Sequence, residues 1–317
     1  MKAAVLHEVG RAPRFEEFAE PSPGENEVLV QVRAAALKAV DRAMVDGSHY
    51  ASFREFPVVC GIDGVGTLEN GARVFFGGPR RPFGAMAERT VAPQGFCFPV
   101  PDGVDDATAA ALPNAGLSSW LPLTWRAKLV PGERVLVLGA TGVAGKLAVQ
   151  IAKLMGAGRV VAAGRNEQVL NTLGSLGADA MISLDLPDSE LAEAFARDGR
   201  FDIILDYVWG RPTEVLLRAL TRKEFAASGS EVRLVQIGES AAPEIALPAA
   251  ALRSSAVTIM GSGGVPPFGV IKSAYAQLME HAAQGELQID LERVPLAEIE
   301  AAWQRGTMPG RRIVVIP

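Results

Sequence analysis

The sequence is poor in cysteine, histidine and tyrosine. Its 317 residues include two cysteines, three histidines and three tyrosines. Cys60 and Cys97 cannot build a disulfide framework or a cysteine-rich zinc site, and we interpret them as small buried hydrophobic residues. The histidines, His7, His49 and His281, are scattered without the spacing of metal ligands. The sequence therefore predicts no metal site.

Long apolar runs and an excess of positive charge are also missing. No uninterrupted apolar stretch is long enough to span a bilayer, and Met1–Glu8 lacks the apolar core of a signal peptide. We therefore expect a cytoplasmic protein without a membrane partner. The formal net charge of −5 disfavours nucleic acid as a main partner. With 49% hydrophobic and 21% charged residues, a chain of this length is typical of a globular protein with two domains.

The main positive feature is a glycine-rich turn between two predicted strands. The apolar run 134–138 is too short for a helix, and apolar residues recur at helical spacing from Val143 to Met155. A second apolar run, 160–163, follows that helix. Three glycines stand between the first run and the helix: Gly139, Gly142 and Gly145. This order predicts strand, tight turn, helix and strand, which is one βαβ unit.

Each glycine of this turn has a separate task if a dinucleotide binds. The turn must be tight, the pyrophosphate must approach the backbone, and the helix must pack close to the strand. Free N–H groups and partial positive charge at the helix N-terminus then favour the phosphates. The alternative is a glycine-rich turn in an α/β protein without a cofactor, which would not explain an exposed arginine after the second strand. The predicted cofactor contacts in this turn are Gly139, Ala140, Thr141, Gly142, Val143 and Ala144.

The end of the second strand predicts which dinucleotide binds. NAD-binding proteins carry an acidic residue here that accepts from the ribose hydroxyls, whereas this chain has Gly164, Arg165 and Asn166. Glycine removes the carboxylate that would repel a 2′-phosphate, and arginine offers a planar set of donors that matches phosphate oxygens. Asn166 adds a neutral donor. We therefore predict NADPH as the cofactor; the alternative is that Arg165 is solvated and Gly164 merely turns the chain.

The remaining pattern divides the chain into two kinds of structure. Before residue 101, short strands broken by glycines and turns predict an all-β region. Helices are predicted from Asp105 or Asp106 through Leu112, and again over 117–129. From Glu133 onward strands and helices alternate, which predicts a doubly wound parallel sheet. Its predicted strands are 134–138, 159–163, 179–184, 201–207, 232–237 and 256–260, followed by a helix at 271–285 and a last strand at 312–316.

Several short motifs together resemble the medium-chain dehydrogenase/reductase superfamily, specifically its zinc-independent quinone oxidoreductase branch. These motifs are 61–66, 84–88, 111–118, 137–145, 202–206 and 310–314. The resemblance covers nearly the whole chain. It implies a GroES-like β-barrel catalytic domain at 1–116, a Rossmann NADPH-binding domain at 117–262, and completion of the catalytic domain by 263–317.

The same resemblance implies how the protein works and assembles. It implies hydride transfer from a nicotinamide at the cleft between the domains. It also implies a homodimer, and the last Rossmann strand, Val257–Met260, is an apolar edge that would seek a partner.

The resemblance also bears on metal and on a competing family. Zinc-dependent relatives carry a cysteine, a His-Glu pair and a lobe of four closely spaced cysteines. Here Gly61-Ile62-Asp63 stands at the Gly-His-Glu position and the lobe is missing, so a zinc alcohol dehydrogenase is not expected. A short-chain dehydrogenase needs Tyr-x-x-x-Lys, but the residues at that spacing are Arg54, Arg211 and Met279.

Without a metal, hydrogen-bond donors must stabilise the charge that develops on the substrate oxygen. The candidate catalytic donors are Tyr50 and Lys38, followed by Tyr207. The resemblance places Lys38 where the family usually has asparagine, and Ala43 where quinone reductases often have tyrosine, so quinone specificity stays open. The alternatives are a solvated surface lysine for Lys38 and a loop aromatic packed on the barrel for Tyr50.

Further cofactor contacts are predicted outside the glycine turn. Ser118 matches a family threonine near the nicotinamide, and Tyr207 follows a strand end where it would flank the cofactor. Glycines at the ends of the later strands allow close backbone approach: Gly238, Gly261 and Gly263, with Ser262 between the last two. The leading hypothesis is an NADPH-dependent, metal-independent reductase of quinones or α,β-unsaturated carbonyls. The alternatives are an alcohol/aldehyde oxidoreductase and an NADPH-binding protein with little turnover.

Overall fold

The computed structural model describes residues 1–221, 231–264, 266–306 and 308–317. They form two compact units, one comprising Met1–Pro113 with Met279–Pro317 and the other Asn114–Leu278. The chain passes from one unit to the other within a helix, and it returns within a second helix. The expected boundary after residue 116 lies in the first of these helices. The expected boundary after residue 262 lies inside the second unit, before the helix that leads the chain back.

The first unit is built mainly from β-strands. Its elements before the chain leaves it are β1 (Lys2–Leu6), β2 (Arg14–Glu17), β3 (Glu27–Leu37), α1 (Ala39–Asp46), β4 (Val58–Val59), β5 (Asp63–Leu68), β6 (Arg73–Gly77), β7 (Arg89–Pro93) and β8 (Cys97–Pro99). The β3–α1 junction is short because strand β3 ends at Leu37 and the helix is capped at Lys38. This junction places Lys38 at the end of β3, an interior strand of the seven-stranded sheet.

The second unit contains a parallel sheet with helices between its strands. Its elements are α2 (Asp106–Leu121), which starts in the first unit, a π-helical turn (Pro122–Arg126), β9 (Arg134–Leu138), α3 (Val143–Leu154), β10 (Arg159–Gly164), α4 (Glu167–Leu170), β11 (Ala180–Ser183), α5 (Asp188–Asp198), β12 (Ile203–Asp206), α6 (Arg211–Leu220), β13 (Val232–Gln236), α7 (Ala249–Ser254), β14 (Val257–Gly261) and α8 (Phe268–Ala283). The strands lie in the order β11-β10-β9-β12-β13-β14, which is that of a dinucleotide-binding doubly wound sheet. The predicted strands agree with these to within two residues at each end.

The chain then completes the first unit with β15 (Asp290–Pro295), α9 (Ile299–Gln304) and β16 (Arg311–Ile316). A seven-stranded sheet has the order β15-β16-β3-β5-β6-β8, with β7 paired to β3, and a three-stranded sheet has the order β2-β1-β4. The architecture is the predicted one, a GroES-like β unit and a doubly wound Rossmann unit. No helix in the described ranges is long and apolar enough to cross a membrane.

Helix α2 corrects one prediction. The sequence predicts two helices separated near residue 113, but α2 runs from Asp106 to Leu121 with Pro113 inside it. The predicted cap is present, because the Asp105 carboxylate accepts from the backbone N–H of Ala107 at 3.0 Å. Proline removes one donor of the helix ladder. Burial of apolar residues on both sides outweighs that loss: Ala109, Ala110, Ala111, Leu112 and Ala115.

Candidate cofactor and active site

The turn after β9 has the backbone geometry that a dinucleotide pyrophosphate requires. Gly139 has a φ of 88°, which favours glycine. A Cβ atom at Gly145 would lie 2.2 Å from the Gly139 carbonyl oxygen, so α3 packs directly on the turn. Gly142 is the N-cap of α3 and supplies no side-chain cap. The first N–H groups of α3 are therefore available to phosphate oxygens.

The end of β10 leaves no room for a side chain at the ribose position. A Cβ atom at Gly164 would lie 2.3 Å from the Thr141 methyl group, so Thr141 of the glycine turn covers this glycine. Arg165 follows and is exposed. Asn166 caps α4, because its side-chain oxygen accepts from Val169 N–H at 3.0 Å. The structure thus brings Gly164 and the glycine turn together, with Arg165 beside them.

Tyr207 follows β12 on the other side of β9. Its backbone N–H donates to the Leu138 carbonyl at 3.1 Å. Its hydroxyl lies 2.7 Å from the Ser119 hydroxyl and donates to the Ser118 carbonyl at 3.1 Å. Burial raises the pKa of Tyr207 to about 12, although the hydrogen-bond partners Ser119 and Ser118 oppose the rise. The phenol therefore stays neutral at working pH and is engaged with α2.

Asp206 fixes the loop that carries Tyr207. One of its oxygens accepts from the N–H groups of Val208 at 2.9 Å and Trp209 at 2.8 Å, and the other accepts from the Thr213 hydroxyl at 2.6 Å. Burial raises the pKa of Asp206, and these hydrogen bonds oppose the rise. The loop between β12 and α6 is thereby held rigidly beside the glycine turn.

The ends of β13 and β14 are tied to each other. Ser262 N–H donates to the Gln236 carbonyl at 2.8 Å, and the Gln236 amide donates to the Gly238 carbonyl at 3.2 Å. Arg126 donates to the Gly263 carbonyl. The residues predicted at the ends of the later strands, Gly238 and Gly261–Gly263, therefore form one connected rim. Arg126 was missed because nothing in its local sequence marks it; only the fold brings it to this rim.

In the first unit, Lys38 is enclosed by acceptors. Its side chain is 1% exposed. The ammonium lies 2.7 Å from an Asp63 oxygen, 3.2 Å from an Asp41 oxygen and 3.1 Å from the Ala36 carbonyl. Asp41 also accepts from the backbone N–H groups of Lys38 at 2.8 Å and Ile62 at 3.3 Å. The cluster ties the start of α1 to the start of β5.

Electrostatics keep Lys38 charged in this enclosure. Burial alone would lower the pKa of Lys38, but the carboxylates of Asp41 and Asp63 outweigh it and raise the pKa. Burial raises the pKa of Asp63, and Lys38 opposes that rise. The guanidinium of Arg312 also acts on both carboxylates, and burial lowers its pKa. The ammonium donates to the Asp63 carboxylate and the Ala36 carbonyl and is paired with the Asp41 carboxylate, so these contacts hold Lys38 within the cluster.

Tyr50 has the opposite environment. Its side chain is 93% exposed, and its ring lies 4.0 Å from the His49 ring, between centroids. Tyr50 and Lys38 therefore contact different residues. In the described part of the chain, no hydrogen bond joins these two predicted donors. Their catalytic roles stay predictions. Within the described ranges, no group of three or more His, Cys, Asp or Glu side chains could hold a metal ion.

Two family descriptions match this chain. Residues 24–102 match the alcohol dehydrogenase GroES-like domain, and residues 144–283 match the zinc-binding dehydrogenase family. The first match falls in the β unit and the second starts in the glycine turn.

Named relatives agree with these matches. The probable NADPH-dependent quinone reductase of Emericella nidulans is 26% identical over 96% of this chain and 96% of its own length. The 2-methylene-furan-3-one reductase of Solanum lycopersicum is 32% identical over 60% of this chain, but the match spans only 52% of that relative. The quinone oxidoreductase of Thermus thermophilus, solved also as a complex with NADPH, is 29% identical with a TM-score of 0.78, over 100% of both chains.

The glycine turn, the strand order and these matches lead to one conclusion. The chain belongs to the medium-chain dehydrogenase/reductase superfamily and is an oxidoreductase that uses a nicotinamide dinucleotide.

Proposed function

We propose that the chain is an NADPH-dependent reductase that transfers hydride to a quinone or an α,β-unsaturated carbonyl without a metal ion. The preference for NADPH is carried by the end of β10, where Thr141 covers Gly164 and an exposed Arg165 follows. An acidic side chain at residue 164 would displace Thr141, so the carboxylate that selects NADH has no place here. The name of one relative and the NADPH complex of another support this choice.

Arg165 supplies the discrimination in this proposal. A charge-assisted hydrogen bond to phosphate contributes roughly 1.5–3 kcal/mol, which corresponds to about ten- to a hundredfold in affinity. Titration of NADPH and NADH into the wild type should reveal a preference of that size for NADPH. Arg165→Ala should remove most of it while leaving NADH affinity nearly unchanged.

A matched variant controls for general electrostatics. Arg253 is an exposed arginine on α7 of the same unit, so Arg253→Ala removes the same charge away from β10. It should leave both affinities unchanged, because exposed charges more than about 10 Å apart are largely screened at 0.1 M salt. Equal wild-type affinities for NADPH and NADH would overturn the assignment.

Metal independence rests on the donor set in the first unit. The family description that matches residues 144–283 names zinc, but the residues present do not suit zinc. Asp41 and Asp63 are already paired with the Lys38 ammonium, and burial raises the pKa of the neighbouring Cys60 thiol, which disfavours a thiolate ligand. Elemental analysis should find no stoichiometric zinc. Tightly bound zinc together with loss of activity on chelation would contradict the proposal.

The reaction then needs a hydride, a proton taken up from solvent and a hydrogen-bond donor at the substrate oxygen. Bound NADPH would supply the hydride, and the exposed hydroxyl of Tyr50 is the proposed donor. Lys38 holds the α1 start that leads to the Tyr50 loop. NADPH consumption against a benzoquinone, an enone and an aldehyde tests the substrate class. Turnover of the aldehyde alone would favour an alcohol/aldehyde oxidoreductase, and no turnover of any would favour a cofactor-binding protein.

A further inference from the structure

Tyr207 lies on the side of the glycine turn opposite the predicted 2′-phosphate site. Strands β10 and β12 flank β9 on its two sides. A dinucleotide bound across the point where the strand order reverses extends one nucleotide to each side. Gly164 and Arg165 follow β10, so the adenosine half belongs on that side. Tyr207 follows β12, so it belongs with the nicotinamide half.

The backbone of Tyr207 has a crowded, fixed position. A Cβ atom at Gly139 would lie 3.2 Å from the Tyr207 Cβ atom, and one at Gly238 would lie 2.8 Å from the Tyr207 carbonyl oxygen. Both neighbouring positions are therefore glycines that make room for this residue. The ring can extend in only a restricted direction from a backbone held in this way.

The hydroxyl of Tyr207 fastens that ring to helix α2. It donates to the Ser118 carbonyl at 3.1 Å and lies 2.7 Å from the fully buried Ser119 hydroxyl, where either oxygen can be the donor. The Ser119 oxygen also lies 3.4 Å from two carbonyls, that of Ala115 in its own helix and that of Ala144 in the first turn of α3. These contacts bring the end of β12, helix α2 and the first turn of α3 together around one buried hydroxyl. Buried hydroxyl pairs of this kind fix relative position, since leaving either group unpaired is unfavourable.

We propose that Tyr207 and Ser119 are positioning residues for the nicotinamide half of the cofactor. Tyr207 holds the Ser119 hydroxyl in place beside the Ala144 carbonyl, and this contact sets the distance between α2 and the first turn of α3, and so the width of the slot beyond the pyrophosphate. The adenosine half, on the β10 side, does not depend on this contact. The inference rests on the proposed function only in the choice of NADPH over NADH.

Ligands that carry only one half of the cofactor separate this role from general stability. Tyr207→Phe keeps the ring and removes the hydroxyl. Ser119→Ala removes the hydroxyl that Tyr207 contacts. Each variant is titrated by calorimetry with NADPH and with adenosine 2′,5′-bisphosphate, which contains only the adenosine half. We expect a five- to tenfold loss of NADPH affinity, about the effect of one neutral hydrogen bond. Binding of the bisphosphate should stay within about twofold of the wild type.

A third variant and a double variant complete the test. Thr124→Val removes a hydroxyl that donates to the Trp120 carbonyl one turn earlier in the chain, and it should leave both affinities unchanged. The double variant should bind NADPH about as well as either single one, because the two residues share one interaction.

Three results would contradict the inference: unchanged NADPH affinity, equal weakening of both ligands, or additive losses. Should the wild type prefer NADH, the same comparison with NADH and AMP tests Tyr207, while the NADPH assignment alone fails. Thermal melting shows whether a variant is folded. If Tyr207→Phe is unfolded, the two affinities are compared in Ser119→Ala instead.

Discussion

Replacing Lys38 by methionine tests whether its ammonium holds two buried carboxylates together. The variant keeps most of the length of the side chain but leaves Asp41 and Asp63 without their shared cation; Arg312 still acts on both carboxylates and Arg42 on Asp41. Breaking a buried ion pair by removing one partner destabilises a protein by about 3–5 kcal/mol. We expect a loss of that size in the free energy of unfolding at pH 7.

The pH dependence of this loss has a definite sign. In the wild type the raised pKa of Lys38 contributes stability that is complete below the unfolded value of about 10.4 and is lost as pH rises through the folded value. In the variant, the pKa of Asp63 is raised by burial and no longer opposed by Lys38. The folded state then binds a proton more readily than the unfolded state, so stability decreases as pH rises through that pKa. Because Lys38 no longer opposes the raised pKa of Asp63, Lys38→Met should gain more stability than the wild type as pH falls through that pKa.

Denaturant unfolding of a mutant cycle measures the coupling directly. The double variant Lys38→Met with Asp63→Asn removes both members of the pair. Its loss in free energy of unfolding should be smaller than the sum of the two single losses by at least about 2 kcal/mol. Turnover should recover in the double variant if Lys38 acts by position. If turnover stays low while stability recovers, Lys38 acts as a donor to the substrate. Strictly additive losses of stability without a pH trend would refute the inference that Lys38 holds the two carboxylates together.

Three further predictions concern other parts of the chain. Tyr50→Phe should lower kcat about tenfold or more without changing NADPH affinity, since a bond made mainly in the transition state affects turnover; unchanged kcat on the best substrate would remove Tyr50 from the mechanism. Gly145→Ala should destabilise the fold by about 1–3 kcal/mol and weaken dinucleotide binding, because its Cβ atom would lie 2.2 Å from the Gly139 carbonyl oxygen; thermal melting and NADPH titration check this. Light scattering at micromolar concentration should give the mass of a homodimer, and Ile259→Lys on the edge strand β14 should shift it toward the monomer; a wild-type monomer would contradict the expectation.

The Rossmann unit could be predicted closely because its signals are local. Strands β9, β10 and β12 are continuous apolar runs buried on both faces, as parallel strands are, and turns bound each run. The cap at Asp105 was likewise predictable, since capping depends on residues two or three positions away. Helix α2 was mispredicted where a local rule, the exclusion of proline from helix interiors, was overridden by burial that the sequence does not display.

The environment of Lys38 could not be predicted for a similar reason. A lysine that follows apolar residues and precedes an aspartate is typical of a surface position or of a donor. Its burial depends on Asp63, which lies 25 positions further along the chain. Spacing alone does not reveal that β3 and β5 are neighbours in the sheet.

The two halves of the cofactor site differ in the same respect, and this difference limits what sequence can say about function. The proposed recognition of the 2′-phosphate depends on consecutive residues, Gly164 and Arg165, at the end of one strand, so this proposal could be made from the sequence. The proposed positioning of the other half depends on Tyr207 and Ser119, which lie 88 positions apart and meet only in the fold. A change at either residue would alter the slot without altering the glycine motif. The motif in a sequence therefore indicates that a dinucleotide binds, but it does not determine how the nicotinamide half is held.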